Sequence, residues 1–525
     1  MSLISEMRAI FGDGSVSFGL DFGTYRSMLA VCSEDGPMVP AYKDACLGGV
    51  PSLFWRTESG EEYVGDEVYA RNGQAVDPGG ICASVKTRLQ NGPVRLHGKE
   101  YSPREIAGRI IKRVLDVTQP LLEQEFIEMD FSSIVCGVPV RFTAAQKGEI
   151  SSIVREATGG KEVHLVPEPI LAALSVDYYL EKKKHRPVRR PVLVYDMGAG
   201  TFDVCLLVPN TPSAYDPYPY RALNPQGSAM AGDCIDSFVE EMMLEKLRQV
   251  AGFNMSTLEK EQHMDRQTLR LESRRVKEKL SECEEIDQLI TTSAGSRAML
   301  HLTRSELEQN IEPRMRRETI DLAVKVVQEE GYWNNNQLDI VLVGGSTYMP
   351  LVRRLLLEAF PWLDESHIQQ RLPEKAVALG AAIYAAIPKL VVPKVAYGYA
   401  VSTYNTTRKL QMLHVRIPSN AELPMTVKAI YSTRFNNQLG VQFYVFEVDH
   451  GELDEFLNME EGNALMDAGQ AYHIMHSFGK PVPVDTNVEL TVTLDRSGRL
   501  LLRVSDMGLT GKDTEEIVDL CSTSI

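Results

Sequence analysis

Two stretches of the chain end an apolar run with an acid, a glycine-rich turn and a threonine. The first is Phe18-Gly19-Leu20-Asp21-Phe22-Gly23-Thr24-Tyr25-Arg26-Ser27. The second is Val194-Tyr195-Asp196-Met197-Gly198-Ala199-Gly200-Thr201-Phe202-Asp203-Val204. These types suit a phosphate chain. Glycine lets backbone N–H groups approach phosphate oxygens closely, and threonine adds a hydroxyl donor. An aspartate at the strand end can hold a hydrated Mg²⁺ through its water shell. One glycine in an apolar run is more often a plain β-turn. Two such hairpins point to a duplicated fold that grips one phosphate chain from both sides.

A third element extends the pattern. Ile340-Val341-Leu342-Val343-Gly344-Gly345-Ser346-Thr347-Tyr348-Met349-Pro350 is a buried-strand run that breaks at Gly-Gly and enters a helix near Met349. The Gly-Gly turn, followed by Ser and Thr, leaves backbone room for a flat base and a ribose at a helix start. Together the three stretches resemble the phosphate-1, phosphate-2 and adenosine motifs of the actin, hexokinase and heat-shock ATPase superfamily. Val166-Pro167-Glu168-Pro169-Ile170-Leu171-Ala172-Ala173 resembles that superfamily's first connecting motif, which puts Glu168 at the start of an Ala-rich helix near the cleft.

The elements that must position these residues alternate between strand and helix up to about residue 390. Helical spacing of Ile106, Ile110, Val114 and Val117 predicts a helix over Pro103 to Phe126. Ile134 to Val140 reads as a strand, and Ala144 to Ala157 as a helix stopped by Gly159-Gly160. Charged helices are expected over Ser256 to Glu284 and Arg304 to Glu330. Small residues Ala378, Ala381, Ala382 and Ala385 make Glu374 to Ile387 a close-packing helix. The basic run Lys182 to Arg190 reads as a solvated turn.

After Pro388 the texture changes to short runs of period two: Thr426 to Tyr431, Val441 to Val448, Val488 to Leu494 and Leu500 to Ser505, with turns such as Arg496-Ser497-Gly498. This predicts a β-sandwich, with Asp449 to Gln470 as a loop insertion. The expected fold is α/β: a two-lobed actin-like ATPase over residues 1–388, a linker over 389–395, and the sandwich over 396–525.

Composition fits a large globular protein. The 525 residues are 44% hydrophobic and 24% charged, enough for several cores. A net charge of -16 argues against nucleic acid or an anionic membrane as partner. Eight scattered cysteines without a Cys-x-x-Cys pair suit free thiols in a reducing compartment. Met1 to Gly14 lacks a signal-peptide core, and no run reaches the ~18 apolar residues of a membrane span. A cytoplasmic monomer is expected.

An actin-like ATPase followed by a β module resembles the seventy-kilodalton heat-shock chaperone family nearly end to end. Within the module, Ile417-Pro418-Ser419-Asn420-Ala421-Glu422-Leu423-Pro424 looks like the family's Ile-Pro turn. Gly440 to Glu447 looks like its peptide-cradling strand, and Val488 to Leu500 like its hairpin. The resemblance implies ATP and ADP as ligands with Mg²⁺, and K⁺ as a further candidate ion. Asp21, Asp196 and Asp203 would organise Mg²⁺ and its waters. Gly23, Thr24, Tyr25, Gly198, Ala199, Gly200 and Thr201 would contact phosphates. Lys86 matches the catalytic lysine and Glu168 would position the attacking water, in line with phosphoryl transfer by positioning and electrostatics. Gly232, Arg274, Lys277, Ser281, Gly344, Gly345, Ser346, Tyr348 and Glu374 would surround the nucleoside. Tyr399, Val441 and Phe443 match positions that line the peptide pocket.

The chain departs from the family at informative places. Ala199 replaces a glycine. Arg274 stands where the family has Glu, Glu278 where it often has Arg, and Tyr348 where an Arg stacks on adenine. The linker Lys389-Leu390-Val391-Val392-Pro393-Lys394 has lysine in place of an acid. Val138-Pro139 resembles the proline switch, with Lys147 in place of its partner Arg. The helical lid expected after the β module is missing. The resemblance implies an ATP-driven chaperone holding extended apolar peptides, served by a J-domain cochaperone and a nucleotide exchange factor. Two other readings stay open: a weakly hydrolysing scaffold dedicated to one partner, and an actin-like polymer or small-molecule kinase.

Overall fold

The computed structural model describes residues 3–517 apart from 12–14, 44–47, 71–77, 132, 160–161, 185–189, 211–219, 261–262, 371–373, 389–390, 393–394, 396, 420, 464–470, 496–497 and 510–512. The basic turn at 185–189, the Arg496-Ser497 turn and the linker residues Lys389, Leu390, Pro393 and Lys394 therefore lie outside the described residues.

The duplication read from the two hairpins is present in the sheets. In the first lobe the strand order is Glu162–Pro167, Ser133–Val138, Ser17–Phe22, Arg26–Ser33, Gly36–Met38. In the second it is Ile368–Gln369, Asp339–Val343, Val192–Met197, Phe202–Pro209, Tyr220–Ser228 and Val391–Val392. Each motif strand pairs antiparallel with the strand after its glycine turn and parallel with a later one. Those parallel strands are nearly continuous apolar runs because both faces are covered. One core fills the first lobe and continues under one face of the second lobe's sheet through Val194, Cys205 and Val341, and a second core covers that sheet's other face.

Small residues let two helices pack closely, Ala376–Ala386 on the first lobe's sheet and Glu168–Lys184 between that helix and the second lobe's strands. Glu168–Lys184 and Ala376–Ala386 cross so closely that a Cβ on Gly380 would lie 1.7 Å from the Leu171 carbonyl oxygen. A Cβ on Gly19 would likewise meet the Ala382 nitrogen at 2.2 Å. The helix Ala144–Ala157 starts on a capping box between Thr143 and Gln146. The segment read as one helix over 304–330 is broken by a π-turn at Arg316–Ile320, just after Pro313, which lacks the N–H an α-helix needs. The helix expected from Ser256 begins only at Met264, capped by His263. An unforeseen helix, Leu3–Ile10, buries Leu3 and Met7, and its first amides donate to the buried Glu181 at 3.1 and 3.3 Å.

Beyond the lobes, five strands ordered Phe456–Leu457, Leu410–Ile417, Gly398–Asn405, Gln438–Val448, Tyr472–Val482 face four ordered Met425–Ser432, Asn487–Leu494, Leu500–Ser505, Asp513–Ile517. The four runs read from the sequence are strands. The segment read as a loop insertion carries the strand Phe456–Leu457 and the helix Met459–Asn463.

The sandwich rests on the first lobe. Val391 of the linker pairs in parallel with Tyr220, so the linker adds a sixth strand to the second lobe's sheet. Ala144 and Ala145 belong to the same hydrophobic core as the sandwich. The Ala144 N–H donates to Glu447 at 2.7 Å, and the Arg141 guanidinium reaches Asp449 at 2.6 Å.

Candidate functional site

The three motifs converge. A cleft of about 550 Å³ between the lobes is lined by Asp21, Gly23, Thr24 and Tyr25 from the first turn and by Asp196, Gly198, Ala199, Gly200 and Thr201 from the second. Gly344, Gly345, Ser346 and Tyr348 line it from the third motif. Lys86, Glu168, Arg274, Lys277, Ser281 and Glu374 complete the expected set on its walls. Gly232 and Asp203 back the wall: the Gly232 N–H donates to the Gly198 carbonyl at 3.0 Å, and Asp203 is buried. The turns approach too closely for side chains, since a Cβ on Gly200 would lie 2.7 Å from the Thr24 hydroxyl.

Of the four cations lining the cleft among the described residues, Arg26, Lys86, Arg274 and Lys277, Lys86 is the most buried. Its ammonium lies 2.5 Å from Glu168, and only 3% of its side chain is exposed. Burial works against its charge, but Glu168 and Asp21 outweigh that and hold its pKa above the ordinary lysine value. The acids respond oppositely. Burial and the neighbouring Glu168 push Asp21 up to about 7. Burial, Glu168 and the adjacent acids raise Asp196 well above the carboxylate range. Asp203 is pushed up to about 7 by burial and Glu168, although it accepts from the Val140 N–H at 2.9 Å and from Thr201. Buried carboxylates that repel one another this strongly are relieved by a cation. The residues present therefore fit a Mg²⁺ held through water, and each would lose its proton on binding it.

The nucleoside end is less uniform. Lys277 donates to the Gly232 carbonyl at 3.1 Å and pairs with Asp236 at 2.7 Å. Ser346 donates to the Gly198 carbonyl at 2.8 Å, tying the third motif to the second. Ser281 donates back to the Lys277 carbonyl within its own helix. Arg274 is held by Asp233 at 2.8 Å and Asp236 at 3.1 Å. Tyr348 is 50% exposed at the rim. Sequence reading missed Arg26, which lines the cleft and donates to the Gly49 carbonyl at 2.7 Å. Its place directly after Tyr25 in the first turn was the available signal.

Of the three residues expected to contact peptide, Tyr399 and Phe443 are buried and Val441 is partly buried. Tyr399 is 1% exposed, and its hydroxyl donates to Glu447 at 3.2 Å, facing the ATPase helix. Phe443 is 7% exposed and packs on Tyr431 with ring centroids 5.2 Å apart. Val441 packs against the same core. The alternation that aims Val441, Phe443 and Val445 to one face aims them inward.

Among the described residues no helix is long and apolar enough to cross a membrane. The family profile described as Hsp70 protein matches residues 88–463. The chain is 26% identical over 521 residues to the chaperone protein DnaK of Thermosipho melanesiensis, covering 95% of this chain and 79% of that one. It is also 26% identical over 524 residues to the DnaK of Thermotoga neapolitana, covering 95% and 80%. The profile match begins two residues after Lys86, so the first phosphate turn and Lys86 fall outside it.

Proposed function

The chain belongs to the Hsp70 family, and on that premise we propose that it is an ATP-dependent chaperone whose sandwich holds extended apolar peptide segments and whose grip is set by Mg·ATP hydrolysis in the interlobe cleft. The observation that carries the reading is the buried Lys86–Glu168 pair beside three buried carboxylates, Asp21, Asp196 and Asp203, at the meeting of the two phosphate turns. Asp21, Asp196 and Asp203 would hold Mg²⁺ through its waters. Thr24, Thr201 and the glycine amides would hold the phosphates. Lys86 would neutralise charge on the transferred phosphoryl group and Glu168 would orient the attacking water, so catalysis is electrostatic and positional. The linker strand at Val391–Val392 offers a path from nucleotide to sandwich. Unfolded segments, a J-domain cochaperone and an exchange factor are the proposed partners, and the cytoplasm the proposed compartment.

A second reading has its own support. With Tyr399 and Phe443 buried, the sandwich could instead serve one dedicated partner while the ATPase acts as a slow timer. Single-turnover ATP hydrolysis with and without an unfolded, apolar-centred peptide separates the two. Stimulation by peptide, with peptide release on ATP addition, supports the chaperone. Slow hydrolysis indifferent to any peptide supports the scaffold.

A further inference from the structure

Arg274 departs from the family's acid at its position, and its side chain lines the cleft with only 18% of it exposed. Its guanidinium lies over the Tyr25 ring, 4.9 Å from the ring centroid. Tyr25 belongs to the first phosphate turn, in the first lobe. Arg274 belongs to the helix Met264–Glu282, in the second. The contact therefore spans the mouth of the cleft.

Both ends of this bridge are fixed. Asp233 and Asp236, on the neighbouring helix Gly232–Gln249, hold two different nitrogens of the guanidinium at 2.8 and 3.1 Å. A fork held by two carboxylates has little rotamer freedom left to lose on stacking. The Arg274 side chain is only 18% exposed, so the cation meets the ring with most of its water removed, where such contacts are strongest. Arg26 also lies 5.5 Å from the same ring centroid and is itself anchored on the Gly49 carbonyl. Tyr25 thus has a cation of its own lobe and a cation of the other within 5.5 Å of its ring centroid. Nearby, the helix bearing Arg274 also rests against the first lobe's turn Pro78–Gly80.

We propose that Tyr25 and Arg274 form a strap across the nucleotide cleft, a cation–π bridge that must open before a bound nucleotide can leave. Arg274 is then a positioning residue that sets nucleotide residence time. Its two aspartates serve the strap by aiming it. The proposal rests on the reading of the cleft as a nucleotide site and adds to it how the cleft is kept shut. It explains why a basic residue replaces an acid here, and why Asp233 and Asp236 both face that residue.

The test is stopped-flow release of a fluorescent ADP from the full-length protein, chased with excess ATP. Arg274→Ala and Tyr25→Leu should each speed release roughly 5- to 30-fold. Tyr25→Phe keeps the ring and should release more slowly than Tyr25→Leu. The double variant Tyr25→Leu with Arg274→Ala should be no faster than either single variant, because both remove one contact. Arg274→Lys, which keeps charge but loses the fork, should fall between. Equal release rates in wild type, Arg274→Ala and Tyr25→Leu would overturn the strap while leaving the nucleotide site standing, and so would additive effects in the double variant. Failure of the wild-type protein to bind fluorescent ADP at all would remove the site and the strap together.

Discussion

The Glu447 carboxylate accepts the backbone N–H of Ala144 at 2.7 Å, although the two residues are 303 positions apart. One belongs to the sandwich and the other opens the ATPase helix Ala144–Ala157. An acceptor at a helix N-terminus satisfies an amide that has no partner within its own helix and meets the positive end of the dipole. Tyr399 and Tyr472 donate to the same oxygen at 3.2 and 2.9 Å, so one carboxylate gathers three donors at the junction.

Glu447→Ala is therefore predicted to undock the sandwich. It strands an amide and two hydroxyls in a buried junction, a cost of about 1–3 kcal/mol for each group left unsatisfied. Increased efficiency of energy transfer loss between dyes on the two domains, and faster proteolysis of the 389–396 segment, would report it. Glu447→Gln keeps an acceptor and should stay docked. Burial raises the Glu447 carboxyl above its ordinary range, so the docked state favours its neutral form. Docking of the wild type should weaken as pH rises through that raised pKa, and docking of Glu447→Gln should not. An undocked Glu447→Gln at every pH would refute the latch.

The pH dependence of nucleotide binding follows from the cleft acids. Asp21 and Asp203 hold protons up to about 7 in the absence of a cation. Mg²⁺ needs them ionised, so protons and Mg·ATP compete. Affinity for Mg·ATP should rise with pH through 6 to 7 and level off above it, by up to about tenfold per displaced proton and pH unit. Calorimetry in buffers of different ionisation enthalpy should find proton release at pH 6 and much less at pH 8. A flat affinity between pH 6 and 8 would contradict the carboxylate assignment.

Base discrimination should be loose. Tyr348 offers a ring at the cleft rim, half exposed, at the position where the family stacks an arginine. Glu278 lines the wall where an arginine is also common in the family. A stacking ring accepts any purine, since every base has a π-face. ATP and GTP are predicted to bind within about tenfold of each other, and Tyr348→Ala to weaken both by roughly tenfold. Strict ATP selectivity with a harmless Tyr348→Ala would sink this account of the pocket.

Phe443 illustrates what strand alternation can and cannot say. Period two places Val441, Phe443 and Val445 on one face, and they are on one face. It does not say whether that face meets a ligand or the opposing sheet. Phe443→Ala should lower the urea stability of the sandwich by about 3–5 kcal/mol, as for a core phenylalanine. A loss below about 1 kcal/mol would return Phe443 to an open groove.

The same division runs through the whole chain. The cleft was legible because phosphate chemistry fixes residue types within a few positions of one another: Asp21 with Thr24, Asp196 with Thr201, Gly344 with Ser346. Glu168 and Lys86 needed family context, since a lone acid or lysine carries no spacing signal. What stayed hidden depends on partners distant in sequence. Nothing near Glu447 announces Ala144, nothing near Arg274 announces Tyr25, and the buried Glu181 under the helix Leu3–Ile10 is 178 positions from Leu3. The π-turn after Pro313 was foreshadowed by the proline, but its form was set by packing. The strand Gly398–Asn405 was missed because its first four residues are all buried and do not alternate, and Tyr472–Val482 because His476 is buried and Met475 is exposed, against the expected pattern.

The central claim is that Lys86, paired with Glu168 at 2.5 Å, acts on the transferred phosphoryl group. Single-turnover hydrolysis of prebound Mg·ATP by Lys86→Ala and Lys86→Met tests it most directly. Both variants are predicted to bind Mg·ATP but to hydrolyse it about 10²–10³-fold more slowly than wild type. Hydrolysis at the wild-type rate by either variant, with ATP bound, would contradict the account.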